Sequence, residues 1–227
     1  MLNSRLLTDP SYLPSREEIE TWKGEGTSRS DNWDDYVNHN PLGFSFEILN
    51  DEFIEHFVEY IKGSIRNLLN NTKQEVNIVE TGAGSGRLCN FLRQSIDNIE
   101  GRIINIIATD DLSWEEAVMN PYFRIKRHFP VEIMDYKESM ELDPDIVITS
   151  WIPKDDDWTK EYRKRTTVSE YILIRNTSDC GNDETWNKII LKNDGFTMQK
   201  AKLPGQMCFR DIQGRYNNSH TTSFIRK

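Results

Sequence analysis

Between Val76 and Leu88 the chain reads Val-Asn-Ile-Val-Glu-Thr-Gly-Ala-Gly-Ser-Gly-Arg-Leu: an apolar run closed by an acid, then glycines at three alternate positions. Glycines so placed allow positive φ and remove the Cβ that would keep the backbone away from a ligand. A helix starting there turns its first amides into the bend. Three ligand types use such a bend. A triphosphate loop needs Lys-Ser or Lys-Thr after its last glycine, and none follows Gly86. A dinucleotide loop needs G-x-G-x-x-G; Gly82 and Gly84 fit, but Arg87 holds the third place. What stands here is G-x-G-x-G behind Glu80, and a carboxylate there suits a cation and repels a pyrophosphate. A tight strand-to-helix turn with no ligand is the plain alternative.

Two further apolar runs also end in acids. Ile103 to Ala108 leads to Asp110 and Asp111, and Val131 to Met134 leads to Asp135 and Tyr136. Ligands in open α/β sheets sit beyond the carboxyl ends of the strands, so these are places for polar recognition. Asp110 follows Gly86 by 24 residues, near the offset of about 20 expected of a ribose-binding acid. Each acid taken singly also reads as a helix cap or a loop charge.

The first of these segments resembles the opening motif of the class I S-adenosylmethionine-dependent methyltransferases, an acid followed by G-x-G-x-G at the end of the first strand. Glu80, Gly82, Gly84 and Gly86 match it position for position, with Ala83 inside the loop. The resemblance covers roughly residues 76–175. It implies a Rossmann-like fold and S-adenosyl-L-methionine as cofactor. It further implies that Glu80 helps hold the methionyl ammonium. Asp110, or Asp111 should the strand end one residue later, takes the ribose hydroxyls. Asp135 accepts from the adenine amino group, the Tyr136 amide reaches the ring, and Leu112 and Trp114 pack on it.

A fourth apolar run, Asp145 to Thr149, leads to Ser150-Trp151-Ile152-Pro153. Relatives that methylate planar nitrogens carry Asn or Asp, then Pro-Pro and an aromatic residue here. Their absence leaves amino-directed methylation of a base or a glutamine without support. Trp151 can offer an aromatic face to a flat or cationic acceptor, or pack under a helix. Ser150 can bond the acceptor or the cofactor, or cap the turn. Asp155, Asp156 and Asp157 can attract a cation, or cap and solvate the next helix. Tyr36 is the candidate pocket residue from the N-terminal side, so that Trp151, Ser150 and Tyr36 form the candidate acceptor set. The four histidines show no ligand spacing, so no metal is expected.

These residues need a scaffold. Phe53, Ile54, Phe57, Val58, Ile61, Ile65, Leu68 and Leu69 recur at helical steps behind an Asn50 cap. Strand and helix signals then alternate, with helices expected at 88–96, 113–119, 158–165 and 186–191 and a fifth strand at 171–174. The alternation predicts a seven-stranded, mostly parallel sheet with helices on both faces. The segments 196–203 and 221–225, with no helix between them, predict an antiparallel pair at its end. Residues 1–48 read as an extension, either a lid over the cofactor or packing on the sheet flank, and 49–227 as the Rossmann-like domain.

The chain has 227 residues, a net charge of −9 and three scattered cysteines, with a pI near 5.1. The acidity argues against a nucleic-acid partner, which needs a basic excess. The odd, scattered cysteines suit a reducing cytoplasmic setting. No run reaches the roughly 20 apolar residues of a membrane span. The expectation is therefore a cytoplasmic S-adenosylmethionine-dependent methyltransferase acting on a small-molecule or protein acceptor. The alternatives are a non-catalytic subunit of the same fold that serves a partner, and an NAD-dependent oxidoreductase.

Overall fold

The computed structural model describes residues 5–6, 8–24, 42–43, 45–69, 74–96, 98–113, 124–176, 180–206, 208 and 219–227. Five helices lie among them: α1 (Arg16–Gly24), α2 (Asp51–Leu69), α3 (Arg87–Ser95), α4 (Thr159–Lys164) and α5 (Lys188–Asn193). Eight strands form one sheet: β1 (Glu75–Thr81), β2 (Asn98–Ile99), β3 (Arg102–Asp110), β4 (Glu132–Ile133), β5 (Ile146–Ser150), β6 (Glu170–Arg175), β7 (Phe196–Lys200) and β8 (His220–Arg226).

The sheet is mostly parallel, as its near-continuous apolar strands demand. From the centre, β1 pairs in parallel with β3 on one side and β5 on the other, and β5 pairs in parallel with β6. Beyond β6 lies β8, antiparallel to it, and then β7, antiparallel to β8. This is the α/β Rossmann-like arrangement with the expected antiparallel end. The strand count departs from seven. The extra strand, β2, is two residues long and folds back antiparallel on the start of β3. It is too short to leave a period in the sequence. The third apolar run gives only Glu132–Ile133 as strand, both exposed.

Alternation along the buried strands feeds two cores. Ile146 and Ile148 of β5 and Ile172 and Ile174 of β6 face Phe53, Phe57, Ile61 and Ile65 of α2 and Phe91 and Leu92 of α3. Val147, Tyr171 and Leu173 face the other way, toward Tyr162 of α4 and Leu191 of α5. Helix α2 starts where expected: the Phe53 amide donates to Asn50 Oδ1 at 2.8 Å, and Asp51 and Glu52 fill its first turn. Helix α4, at six residues, is shorter than its expected segment, and α5, also six residues, lies two residues later than expected. Most of the helix expected at 113–119 lies outside the described residues.

Upstream of α2, Leu6, Tyr12, Ile19 and Trp22 are buried. Buried Arg87, at the start of α3, ties this segment down: its Nε donates to the Pro10 carbonyl at 2.9 Å and its Nη2 to that of Tyr12 at 2.8 Å. Among the described residues, no helix is long and apolar enough to cross a membrane.

Candidate functional site

Strand β1 ends at Thr81, and the chain must reverse to start α3. It does so through Gly82, Gly84 and Gly86, all at positive φ (65°, 54° and 76°). At all three a close approach adds to the need for glycine. A Cβ on Gly82 would sit 2.9 Å from the Trp158 ring, and one on Gly84 3.2 Å from Ile125. A Cβ on Gly86 would sit 2.9 Å from Val131; this glycine is not among the residues that line the cavity.

Three of the loop's amides are committed to the protein. Ala83 N donates to the Thr109 carbonyl at 2.9 Å, and Gly86 N to that of Ala83 at 3.0 Å. Gly84 N donates to Asp110 Oδ2 at 2.8 Å. A loop built to cradle a pyrophosphate would keep such donors for its ligand.

The cavity above the loop has a volume of about 340 Å³. Glu80, Gly82, Ala83, Gly84, Asp110, Asp111, Asp135, Tyr136, Ser150 and Trp151 line it. Ten expected residues, drawn from four separate segments, thus meet around one space. Leu112 does not line it. Tyr36 and Trp114 lie outside the described residues.

The carboxylates differ in their work. Glu80 is buried, and its Oε2 accepts from the Cys89 amide at 3.1 Å in the first turn of α3. Burial pushes its carboxyl up to about 7; the Cys89 contact and Arg93 pull it down, and the Asp110 charge raises it. Asp110 lines the cavity and also braces the loop. Both its oxygens hold backbone amides, Gly84 N and, at 2.7 Å, Leu112 N. Asp111 is exposed and uses Oδ1 for the Ser113 amide at 2.9 Å. Asp135 Oδ1 accepts from the amides of Lys137 and Glu138, at 2.7 and 2.8 Å, capping the short 3-10 helix Glu138–Leu142. Asp157 pairs with buried Arg163 at 3.2 Å, and Asp156 accepts from Trp158 Nε1 at 2.8 Å. That triplet is mainly structural, although Asp156 also reaches the cavity.

Aromatic rings close the space. Tyr136 stacks on Trp158 with centroids 4.7 Å apart and planes 5° from parallel. Trp151 stacks on Phe46 at 5.3 Å. Trp151 adopts φ 60°, a conformation bulky residues rarely take. The turn after β5 that imposes it is fixed by Trp151 N donating to the Ile174 carbonyl at 2.9 Å. Ser150 Oγ and Trp151 Nε1 are buried and make no hydrogen bond among the described residues.

One wall comes from the N-terminal side, through residues that the candidate set did not name. Ser45, Phe46, Glu47 and Leu49 line the cavity from the segment before α2. Glu47 is buried, accepts from Gln206 Nε2 at 3.1 Å and faces the Trp151 indole. Burial, with a contribution from the Glu80 charge, lifts its carboxyl to about 7. The signal available was an acid inside the run Phe46-Glu-Ile-Leu49, apolar on both sides.

No family model matches the sequence, and no curated protein matches it. Three solved structures illustrate what the chain is similar to. The CurJ carbon methyltransferase aligns with TM-score 0.43 and 12% identity, over 75% of this chain and 54% of that one. The DszA carbon methyltransferase aligns with TM-score 0.44 and 13% identity, over 76% and 54%. The magnesium protoporphyrin IX methyltransferase ChlM from Synechocystis PCC 6803, solved with bound S-adenosylmethionine, aligns with TM-score 0.42 and 13% identity, over 100% and 98%. The chain spans about half the length of the first two.

Proposed function

We propose that this protein binds S-adenosyl-L-methionine in the cavity over the Gly82–Gly86 loop and transfers its methyl group to a small-molecule or protein acceptor. The observation that carries the reading is the loop itself. Its amides at Ala83, Gly84 and Gly86 are spent within the protein, while Glu80 and Asp111 line the space it opens onto. Such a bend repels a pyrophosphate and favours a positively charged nucleoside. The cavity, about 340 Å³, falls within the range of roughly 300–1,000 Å³ for small-molecule sites.

The residues present fit that cofactor. Glu80 would draw the methionyl ammonium, Asp111 the ribose hydroxyls, and Asp135 and Tyr136 the adenine end. Ser150 and Trp151 then face the acceptor. When bound, the cofactor supplies a methyl group on a sulfonium. The chain's own work is to hold an acceptor in line with that group and exclude water, a contribution of positioning more than of covalent chemistry.

Titration calorimetry with S-adenosylmethionine, S-adenosylhomocysteine and NAD tests the reading. Binding of the first two and not of NAD is expected; NAD binding alone would replace the proposal with an oxidoreductase.

A further inference from the structure

We infer that the acceptor side of the cavity, formed by Phe46, Glu47, Ser150 and Trp151, takes an amine, with Glu47 as its anchor. The inference rests on the methyl-transfer reading and adds the class of acceptor.

Charge comes first. Among the described residues, the cavity lining contributes six carboxyl groups, on Glu47, Glu80, Asp110, Asp111, Asp135 and Asp156, against one cation, Arg87. The expected cofactor brings a sulfonium, an ammonium and a carboxylate. It leaves negative charge in excess even with Glu47 and Glu80 each part-protonated near neutrality. An acceptor bearing phosphate or carboxylate would enter against that field, and a cation would enter with it.

Local chemistry comes second. Glu47 is 6% exposed and accepts from Gln206 Nε2 at 3.1 Å, with the Ser219 and Trp151 side chains also bearing on its carboxylate; among the described residues these partners are all neutral. A buried carboxylate facing a cavity without a cationic partner gains most from a ligand that brings one. Beside it the stacked Phe46 and Trp151 rings offer an apolar wall that also tolerates a cation. Ser150 Oγ, without a partner among the described residues, can hold the nitrogen's orientation.

The proton balance closes. An ammonium acceptor gives one proton to the Glu47 carboxylate, which frees the nitrogen lone pair. The N–CH3 bond forms as the S–CH3 bond breaks, and its electron pair returns to sulfur as a neutral thioether. The product leaves as a methylated ammonium, and Glu47 returns its proton to water. A carboxyl group lifted to about 7 by burial is suited to taking and returning a proton near neutral pH.

The test has three readouts. First, S-adenosylhomocysteine binding to the full chain is measured by calorimetry; its absence overturns the cofactor reading and this inference together. Second, the S-adenosylhomocysteine-saturated protein is titrated with benzylamine, benzyl alcohol and benzoate, alike in size and different in charge. The amine is expected to bind at least tenfold more tightly than the alcohol, and benzoate least. The advantage should be lost in Glu47→Gln, with S-adenosylhomocysteine affinity within twofold of wild type. Glu47→Asp should retain part of it. An amine that binds no better than the alcohol, including no binding by either, overturns the amine assignment while leaving the cofactor site standing.

Third, methyl-tritiated S-adenosylmethionine is incubated with protein and cell extract. Label is expected in a product retained by a cation exchanger. Recovery in the acid-soluble fraction identifies a free amine, and recovery in the acid-precipitable fraction a lysine side chain. Label in an anionic or neutral product, or in none while S-adenosylhomocysteine still binds, also overturns the assignment.

Discussion

Asp110 Oδ2 accepts a hydrogen bond from the backbone amide of Gly84 at 2.8 Å, joining the end of β3 to the middle of the glycine loop. The acid that the strand-end pattern marks for ribose thus also braces the loop, and it shares the cavity wall with its neighbour Asp111, to which we assign the ribose as a proposal. The two aspartates should separate under mutation. Asp110→Ala leaves the Gly84 and Leu112 amides unpaired and is expected to lower stability by about 1–3 kcal/mol, measured by urea unfolding. Asp111→Asn should leave unfolding unchanged and weaken S-adenosylmethionine binding by roughly 1–2 kcal/mol, from weaker ribose hydrogen bonds. The reverse pattern would return the ribose role to Asp110.

Glycine replacement probes the close approach. Gly84 holds φ 54°, and a β-branched side chain there meets both the left-handed backbone penalty of about 1–2 kcal/mol and Ile125. Gly84→Val is expected to give a folded protein, by circular dichroism, with cofactor affinity reduced more than tenfold. Unchanged affinity would move the cofactor off this loop.

Acidity should stabilise the ligand-free protein locally. Glu47 and Glu80 have carboxyl groups lifted to about 7 in the fold, against about 4.3 for a free glutamate. The folded chain then binds more protons than the unfolded one between those values. Their contribution is full below about pH 4 and is lost as pH rises through about 7. The check is the urea midpoint of wild type and Glu47→Gln at pH 5.5 and 8: the variant, lacking one of the two groups, should lose less between these pH values. Equal slopes would contradict the assignment.

Arg87 offers a mechanical test. Its guanidinium holds the carbonyls of Pro10 and Tyr12, so Arg87→Met should free the segment before α1. Limited proteolysis is expected to cut before residue 24 several-fold faster than in wild type, while β-sheet circular dichroism is retained. Equal cleavage rates would show that burial of Leu6, Tyr12 and Trp22 is enough to hold that segment.

The glycine loop was legible because everything that defines it lies within seven contiguous residues, Glu80 to Gly86. The parallel sheet was legible because strands buried on both faces leave unbroken apolar runs. The bracing of the glycine loop by Asp110 was not, because it depends on which amide of a separate segment the carboxylate meets. Glu47 was hidden for the same reason: its place opposite Trp151 follows from packing of the chain before α2, and no local spacing records it. The two-residue β2 is set by the turn at Glu100–Gly101, with positive φ at both positions, and strands of that length carry no period. Helix α4 stops after Lys164 because Arg165 takes an extended conformation, which its good helical propensity did not foretell.

Strand β8 lies inside the sheet, between β6 and β7, although it comes after both in the chain. A nascent polypeptide leaving the ribosome thus carries an open slot along the edge of β6 until residues 220–226 emerge. Until then the growing molecule holds a sticky seam that must be shielded from its neighbours, and synthesis, by timing the arrival of those residues, sets how long that exposure lasts.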